Sequence, residues 1–216
     1  MTGREGYLWG MLQRVRSSLS RPPRTAPRPA DGSLREAAVA AVLHGTDRGG
    51  PQLLFIERAT VPGDPWSGHL AFPGGRREAQ DPTLLDTAVR ETWEELGLDL
   101  SDAEHLGALD EVGPVRRSKP LVVCPHVFYL RRLPELRPNR EVAAVHQLSL
   151  TRLLANQGRG PMPFEWQGQA LELARVEVPT TEVRLWGMTL RMVDDLLHRL
   201  DGAGTGLARV GGSSPF

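Results

Sequence analysis

The chain has 216 residues, with 26 lysines and arginines against 26 aspartates and glutamates and a formal net charge of zero. That length can bury a sizeable core, while the neutral balance gives no general pull towards nucleic acid or an acidic membrane surface. One cysteine, Cys124, excludes an intrachain disulfide framework.

Residues 1 to 30 are rich in arginine and proline, with Glu5 the only acid. This composition suits an organelle transit peptide. It equally suits an amphipathic helix, Tyr7 to Leu19, followed by a disordered Pro/Arg linker. The helix and linker are preferred, and with them a cytoplasmic location in which organelle targeting stays open. No segment has the uninterrupted apolar length of a membrane span. Beyond the linker, Ala37 to Leu43 and Gln52 to Glu57 are predicted strands, and a helix is predicted from about Thr83. His105 to Val112, Leu121 to Leu130 and Glu141 to Leu148 are further predicted strands. A short helix is expected at Leu150 to Ala155 and an edge strand at Leu171 to Val178. From Trp186 to Leu200 the residues Leu190, Val193, Leu196, Leu197 and Leu200 repeat at helical spacing. Gly202 to Phe216 is rich in glycine and serine and is expected to fray. The organisation is therefore an N-terminal helix and linker over 1–33, one domain over 34–201 and a tail over 202–216.

The segment Ala71 to Leu98 carries the chemistry. At about 100° per residue, Leu85, Ala88, Val89, Thr92 and Leu96 share one side of the helix, and Glu91, Glu94 and Glu95 cluster on the opposite side. Glu91 and Glu95 form a like-charge pair four apart, which costs a few tenths of a kcal/mol on an isolated helix. Something cationic should compensate, and Mg²⁺ prefers such hard oxygen ligands while keeping waters and phosphate oxygens in its shell. Taken alone, the cluster reads first as a solvated helix face. However, an Arg-Glu-x-x-Glu-Glu-x-Gly string with five fixed positions arises by chance about once in a million windows. It also follows Pro73-Gly74-Gly75, where a backbone without Cβ atoms can approach a ligand or offer a carbonyl to a metal.

Arg90, Glu91, Glu94, Glu95, Gly97 and Leu98 resemble the Nudix box, with Thr92 a weak match at an apolar position. In the first half Gly75 and Asp81 each lie one residue early, read as a loop one residue longer with Asp81 replacing the usual Glu as partner to Arg90. The upstream residues Leu54, Arg58, Ala59, Gly68, Phe72, Pro73, Gly74 and Gly75 resemble the signature of the coenzyme A pyrophosphatase branch. Gly63-Asp64 occupy the place of that signature's second Arg. The resemblance implies an α/β class fold, an α/β/α sandwich with a mixed β-sheet. It also implies Mg²⁺ or Mn²⁺ as cofactor and hydrolysis of a diphosphate linkage in a nucleotide derivative, with coenzyme A or an acyl derivative leading. Hydrolysis of nucleoside di- or triphosphates or dinucleotides is the alternative, and a non-catalytic nucleotide-binding module is the rival outside enzymology.

On this reading Glu91, Glu94 and Glu95 are metal ligands, the Gly75 carbonyl is a further donor, and Arg90 orients the glutamates by charge-assisted hydrogen bonds. Arg90, Glu91, Glu94 and Glu95 form the catalytic set. Arg58, Gly74, Gly75 and Arg76 form the substrate-binding set, although Arg58 and Arg76 each also suit ordinary surface arginines. The proton acceptor is one of the glutamates or a loop carboxylate such as Glu111. His69, Trp66 and Trp93 are weaker substrate candidates, His126 suits a satisfied core histidine, and no pattern suggests zinc. The expected partner is a small-molecule nucleotide, with no nucleic acid and no membrane; a homodimer stays open.

Overall fold

The two central strands carry the unbroken apolar runs Ala37 to Leu43 and Leu53 to Ile56 because both of their faces are covered there. In β1 (Arg35–Thr46) Ala37, Ala41 and Leu43 enter one core while Ala38, Ala40 and Val42 enter another. In β2 (Gly49–Arg58) Leu53 and Phe55 join the first core and Leu54 and Ile56 the second. The computed structural model describes residues 3–28, 33–46, 49–63, 66–115, 120–166 and 168–201. The tail from 202 onward and the middle of the linker lie outside the described residues.

The main sheet is mixed. β1 runs parallel to β7 (Leu121–Leu130) from Arg35 opposite Leu121 to His44 opposite Leu130, and antiparallel to β2. The order is β3-β2-β1-β7-β5, with β3 at Leu70–Ala71 and β5 at Glu104–Ala108. β4 (Gly74–Arg76) pairs with β1, β6 (Val112–Val115) with β7, and β8 (Val142–Ser149) with β2.

One helix, α2 (Leu84–Leu96), covers the smaller core through Ala88 and Leu96. The opposite face is covered by α1 (Gly3–Leu19), α3 (Leu150–Leu154) and α4 (Gly187–Asp201). Met11, Val15 and Leu19 of α1 and Leu196, Leu197 and Leu200 of α4 enter the larger core. This is an α/β/α sandwich. Arg14 Nη2 donates to the Leu200 carbonyl at 2.7 Å and Arg16 pairs with Glu104, so the N-terminal helix is fastened to both α4 and β5.

Four local expectations are corrected. Leu171 to Val178 is not an edge: β10 (Gln169–Glu177) is the middle strand of a second sheet, ordered β11-β10-β9. Its neighbour β9 (Arg159–Trp166) was not foreseen, because Pro161 and Pro163 interrupt any strand pattern. Trp186 closes β11 (Arg184–Trp186), and the last helix begins at Gly187, whose φ of +62° makes the turn. His105 to Val112 is two strands, since the ladder with β7 shifts register between His105 and Gly107 and Asp110-Glu111 leave the sheet.

Candidate active site

The box helix is punctuated at both ends by its own sequence. Thr83 is its N-cap: its side chain accepts from the Asp86 amide at 3.2 Å, and Asp86 Oδ2 accepts from the Thr83 amide at 2.9 Å, a reciprocal capping box. Gly97 ends it in the left-handed conformation, φ +61°, with its amide donating to the Trp93 carbonyl at 2.8 Å. Between these caps, Glu91 and Glu95 face the glycine turn.

Glu95 is only 3% exposed, and its Oε2 accepts the Gly74 amide at 2.9 Å. Burial pushes its carboxyl up to about 7, the Gly74 amide opposes the shift, and the charge of Glu91 adds to it. Glu91 is also shifted upwards, chiefly by burial, against the pull of Arg90. Glu94 is half exposed and belongs to the Arg90 network. The third glutamate thus lies at the rim of the pair.

Arg90 ties the loop to the helix. Its Nε and Nη2 fork onto the two oxygens of Asp81, both at 2.9 Å, its Nη1 reaches Glu94 Oε2 and Glu91 Oε1 at 3.1 Å, and Nη2 also donates to the Arg76 carbonyl at 3.0 Å. Asp81 is buried and also accepts from the Glu78 amide and the Thr87 hydroxyl. The guanidinium holds its carboxyl far below the ordinary carboxylate range. Asp81 therefore fills the role expected of it in the longer loop.

The two glycines are required for different reasons. Gly74 has φ +152°, and a Cβ there would strike the Ala38 carbonyl oxygen and lie 2.6 Å from Val39 Cα. A Cβ on Gly75 would instead fall on the Glu91 carboxylate. Gly74→Ala is expected to cost at least about 3 kcal/mol, seen as a lowered melting temperature. Gly75→Ala should melt within a few degrees of the parent but lose on the order of 10²-fold in activity, because it displaces the Glu91 carboxylate without disturbing the backbone.

The remaining candidates separate. Arg58, at the end of β2, lies close enough for its charge to favour ionised Glu95. Arg76 pairs with Ala37, whose side chain is in the larger core, whereas Gly75 pairs with Ala38 beneath α2. Strand alternation thus sets the Arg76 side chain on the other face from the glutamates, and its carbonyl is the part engaged by Arg90. Glu111 is committed elsewhere: it accepts from the Ala26 amide at 2.8 Å and from Arg28 at 2.9 Å, anchoring the linker. Trp93 is turned out, 58% exposed. His126 is buried between His105 and Cys124; burial brings its pKa down to about 4 and raises the Cys124 thiol to about 11.

Sequence reasoning missed Glu141, read only as the start of a strand. Its charge adds the smallest of the contributions to the upward shifts of both Glu91 and Glu95, so it lies within electrostatic reach of the pair. Neighbouring Asn139 holds the end of the helix: its amide donates to the Glu95 carbonyl at 2.8 Å and its side chain to the Glu94 carbonyl at 3.0 Å. Its Oδ1 accepts from the Glu141 amide.

These residues suit a divalent cation. Glu91 and Glu95 are hard oxygen donors held together against a backbone turn, and burial shifts both carboxyls upwards despite the charges of Arg90 and Arg58 nearby. Among the described residues no three carboxylates, imidazoles or thiols form a closed cage. An ion here would complete its shell with water and substrate oxygens, as magnesium commonly does.

The NUDIX domain model matches residues 34–163, more than half of the chain. The chain is 34% identical over 179 residues to the mitochondrial coenzyme A diphosphatase NUDT8 of Mus musculus, covering 82% of this chain and 81% of that protein. It is 33% identical over 156 residues to the Homo sapiens protein of the same name, covering 71% of this chain and 64% of that one. Nudix hydrolase 22, chloroplastic, of Arabidopsis thaliana is 29% identical over 74% of this chain and 53% of its own length. No helix among the described residues is long and apolar enough to cross a membrane. With its box helix, glycine turn and carboxylate pair assembled in one place, the chain belongs to the Nudix family and is a pyrophosphohydrolase of that family.

Proposed function

We propose that this hydrolase splits the diphosphate of coenzyme A or an acyl-coenzyme A, releasing 3′,5′-ADP and 4′-phosphopantetheine, with Mg²⁺ or Mn²⁺ as cofactor. The observation that carries this reading is the buried pair of Glu91 and Glu95 against Gly74-Gly75 with the Arg58 charge beside it. The coenzyme A diphosphatases among the relatives support the substrate.

Glu91 and Glu95 would hold the cation, with Glu94 and the Gly75 carbonyl as further donors. A bound Mg²⁺ or Mn²⁺ would neutralise the diphosphate and make water a better nucleophile. Arg58 binds a phosphate oxygen and holds the phosphorus in place for in-line attack. Arg90 keeps Glu91 and Glu94 in register with the loop, and the Gly74 amide keeps Glu95 turned towards it. Water oxygen bonds to one phosphorus as the bond from that phosphorus to the bridging oxygen breaks. One carboxylate among Glu91, Glu94, Glu95 and Glu141 takes the proton released.

Hydrolysis of nucleoside di- or triphosphates or dinucleotides is the second reading. It is favoured by one observation, the replacement of the upstream signature's second Arg by Gly63-Asp64. Mass spectrometry of products from coenzyme A, NADH, ADP-ribose, diadenosine polyphosphates and nucleoside triphosphates distinguishes the two. The expected result is 3′,5′-ADP and 4′-phosphopantetheine; turnover of another panel member with coenzyme A untouched rejects the substrate assignment.

A further inference from the structure

Three aromatic rings that the hydrolytic site does not use meet beside Arg58. Trp186 of β11 stands 4.8 Å from His69, edge to face at 62°, and 5.5 Å from Phe164 of β9 at 49°. All three are half-buried, so each keeps some surface exposed. His69 is fixed to the end of β2: the Arg58 amide donates to its carbonyl at 3.0 Å, and the Gly68 amide donates to the Arg58 carbonyl at 3.0 Å.

A partly buried polar chain sets the second sheet against this point. His146 of β8 contacts Glu57 Oε2 through Nε2 at 3.0 Å and Thr180 Oγ1 through Nδ1 at 3.0 Å. The Thr181 hydroxyl donates to the same Glu57 oxygen at 3.4 Å. Thr180 and Thr181 lie in the connection from β10 to β11, and Glu57 is the residue before Arg58. The connection that delivers Trp186 is thereby fastened to the strand end that delivers Arg58. His146 is buried and Glu57 half-buried, and each has a partner at hydrogen-bond distance.

Resting on the diphosphate reading above, we propose that Trp186, Phe164 and His69 form the wall that takes the purine base of the nucleotide substrate. Gly74 is five positions after His69, so wall and glycine turn are at most about 17 Å apart along the chain. Arg58 lies on the path between them. An indole edge and face beside an imidazole offer a flat, polarisable surface, and stacking of a base on such a surface tolerates any purine. Base binding would then come from stacking, while the glutamates and Arg58 act on the diphosphate.

The test is equilibrium binding of adenosine 3′,5′-bisphosphate and of 4′-phosphopantetheine to the full chain, with tryptophan emission recorded in parallel. Trp186→Ala should weaken the bisphosphate about tenfold or more and leave 4′-phosphopantetheine within about twofold. Trp186→Phe should retain the bisphosphate but lose the emission quench that the purine causes in the parent. His69→Ala, a change in a loop, gives the same selective weakening should Trp186→Ala fail to fold. Undiminished bisphosphate affinity in both alanine variants, a quench that persists in Trp186→Phe, or equal weakening of both probes overturns the wall. A parent protein that leaves coenzyme A intact yet shows the selective pattern removes the substrate proposal and upholds the wall. One that cleaves coenzyme A with an unchanged KM in the alanine variants does the reverse.

Discussion

Glu95→Gln is expected to lower kcat by on the order of 10²–10³-fold and, in cation-free buffer at pH 8, to make the protein more stable than its parent. Glutamine can still accept the Gly74 amide, so the turn geometry persists. The charge that must be kept ionised in a buried position beside Glu91 is gone. The sign follows from linkage. The folded-state pKa of Glu95 is raised, to about 7 from an ordinary 4.5. Its contribution is fully present below about pH 4.5 and is lost as pH rises through about 7. The variant's advantage should therefore be absent near pH 4.5 and grow to on the order of 1–3 kcal/mol at pH 8. Urea unfolding across that range measures it. Glu94→Gln should also stay folded and lose most activity, without the stability gain, since Glu94 is half exposed and paired with Arg90. Near-normal rates in both variants would remove them from the site.

Asp81→Asn should act on the fold as well as on the rate. The Asp81 carboxylate accepts the Arg90 fork, the Glu78 amide and the Thr87 hydroxyl in a position only 5% exposed. An asparagine cannot accept both guanidinium bonds, and its amide group turns a donor towards a cation. Breaking one partner of a buried pair typically costs 3–5 kcal/mol. Arg90 keeps Glu91 and Glu94, so the loss should fall near the lower end, about 3 kcal/mol. Here the folded-state pKa is depressed, so the pair's stability is present above the ordinary value of 3.8 and lost as pH falls below it. The gap between parent and variant in urea midpoint should stay constant from pH 8 to 5 and begin to close below about pH 4. Activity should fall too, because an untethered Arg90 no longer orients Glu91 and Glu94. A gap that widened on acidification would contradict the assignment of Asp81 as the ionised partner.

The legible parts of this molecule are those whose cause is local. β1, β2 and β7 show as apolar runs because each is buried on both faces, and α2 shows because its caps, its apolar side and its acidic side all fall within one window. Asp81 as partner to Arg90 was legible through the resemblance to the Nudix box, as the residue replacing its usual Glu. β9 was not, since its prolines suppress the pattern and its pairing with β10 supplies the order. Glu141 and Asn139 were invisible for a different reason: they lie far along the chain from the box helix and reach it only when the segment before β8 folds back over the helix end. Glu111 was a reasonable loop carboxylate by sequence, yet the linker's Arg28 and Ala26 claim both of its oxygens. The aromatic wall joins the loop before β3 with β9 and β11, three segments whose adjacency no periodicity encodes.

The central claim is that Glu91 and Glu95, held against the glycine turn, gather a divalent cation for diphosphate hydrolysis. Calorimetric titration of Mn²⁺ into the full chain, repeated with Glu91 and Glu95 both changed to Gln, tests this most directly. Uptake by the parent that strengthens as pH rises through about 7, releases protons and disappears in the double variant is the predicted result. No cation uptake by the parent, with or without nucleotide, or equal uptake by the double variant, would contradict it.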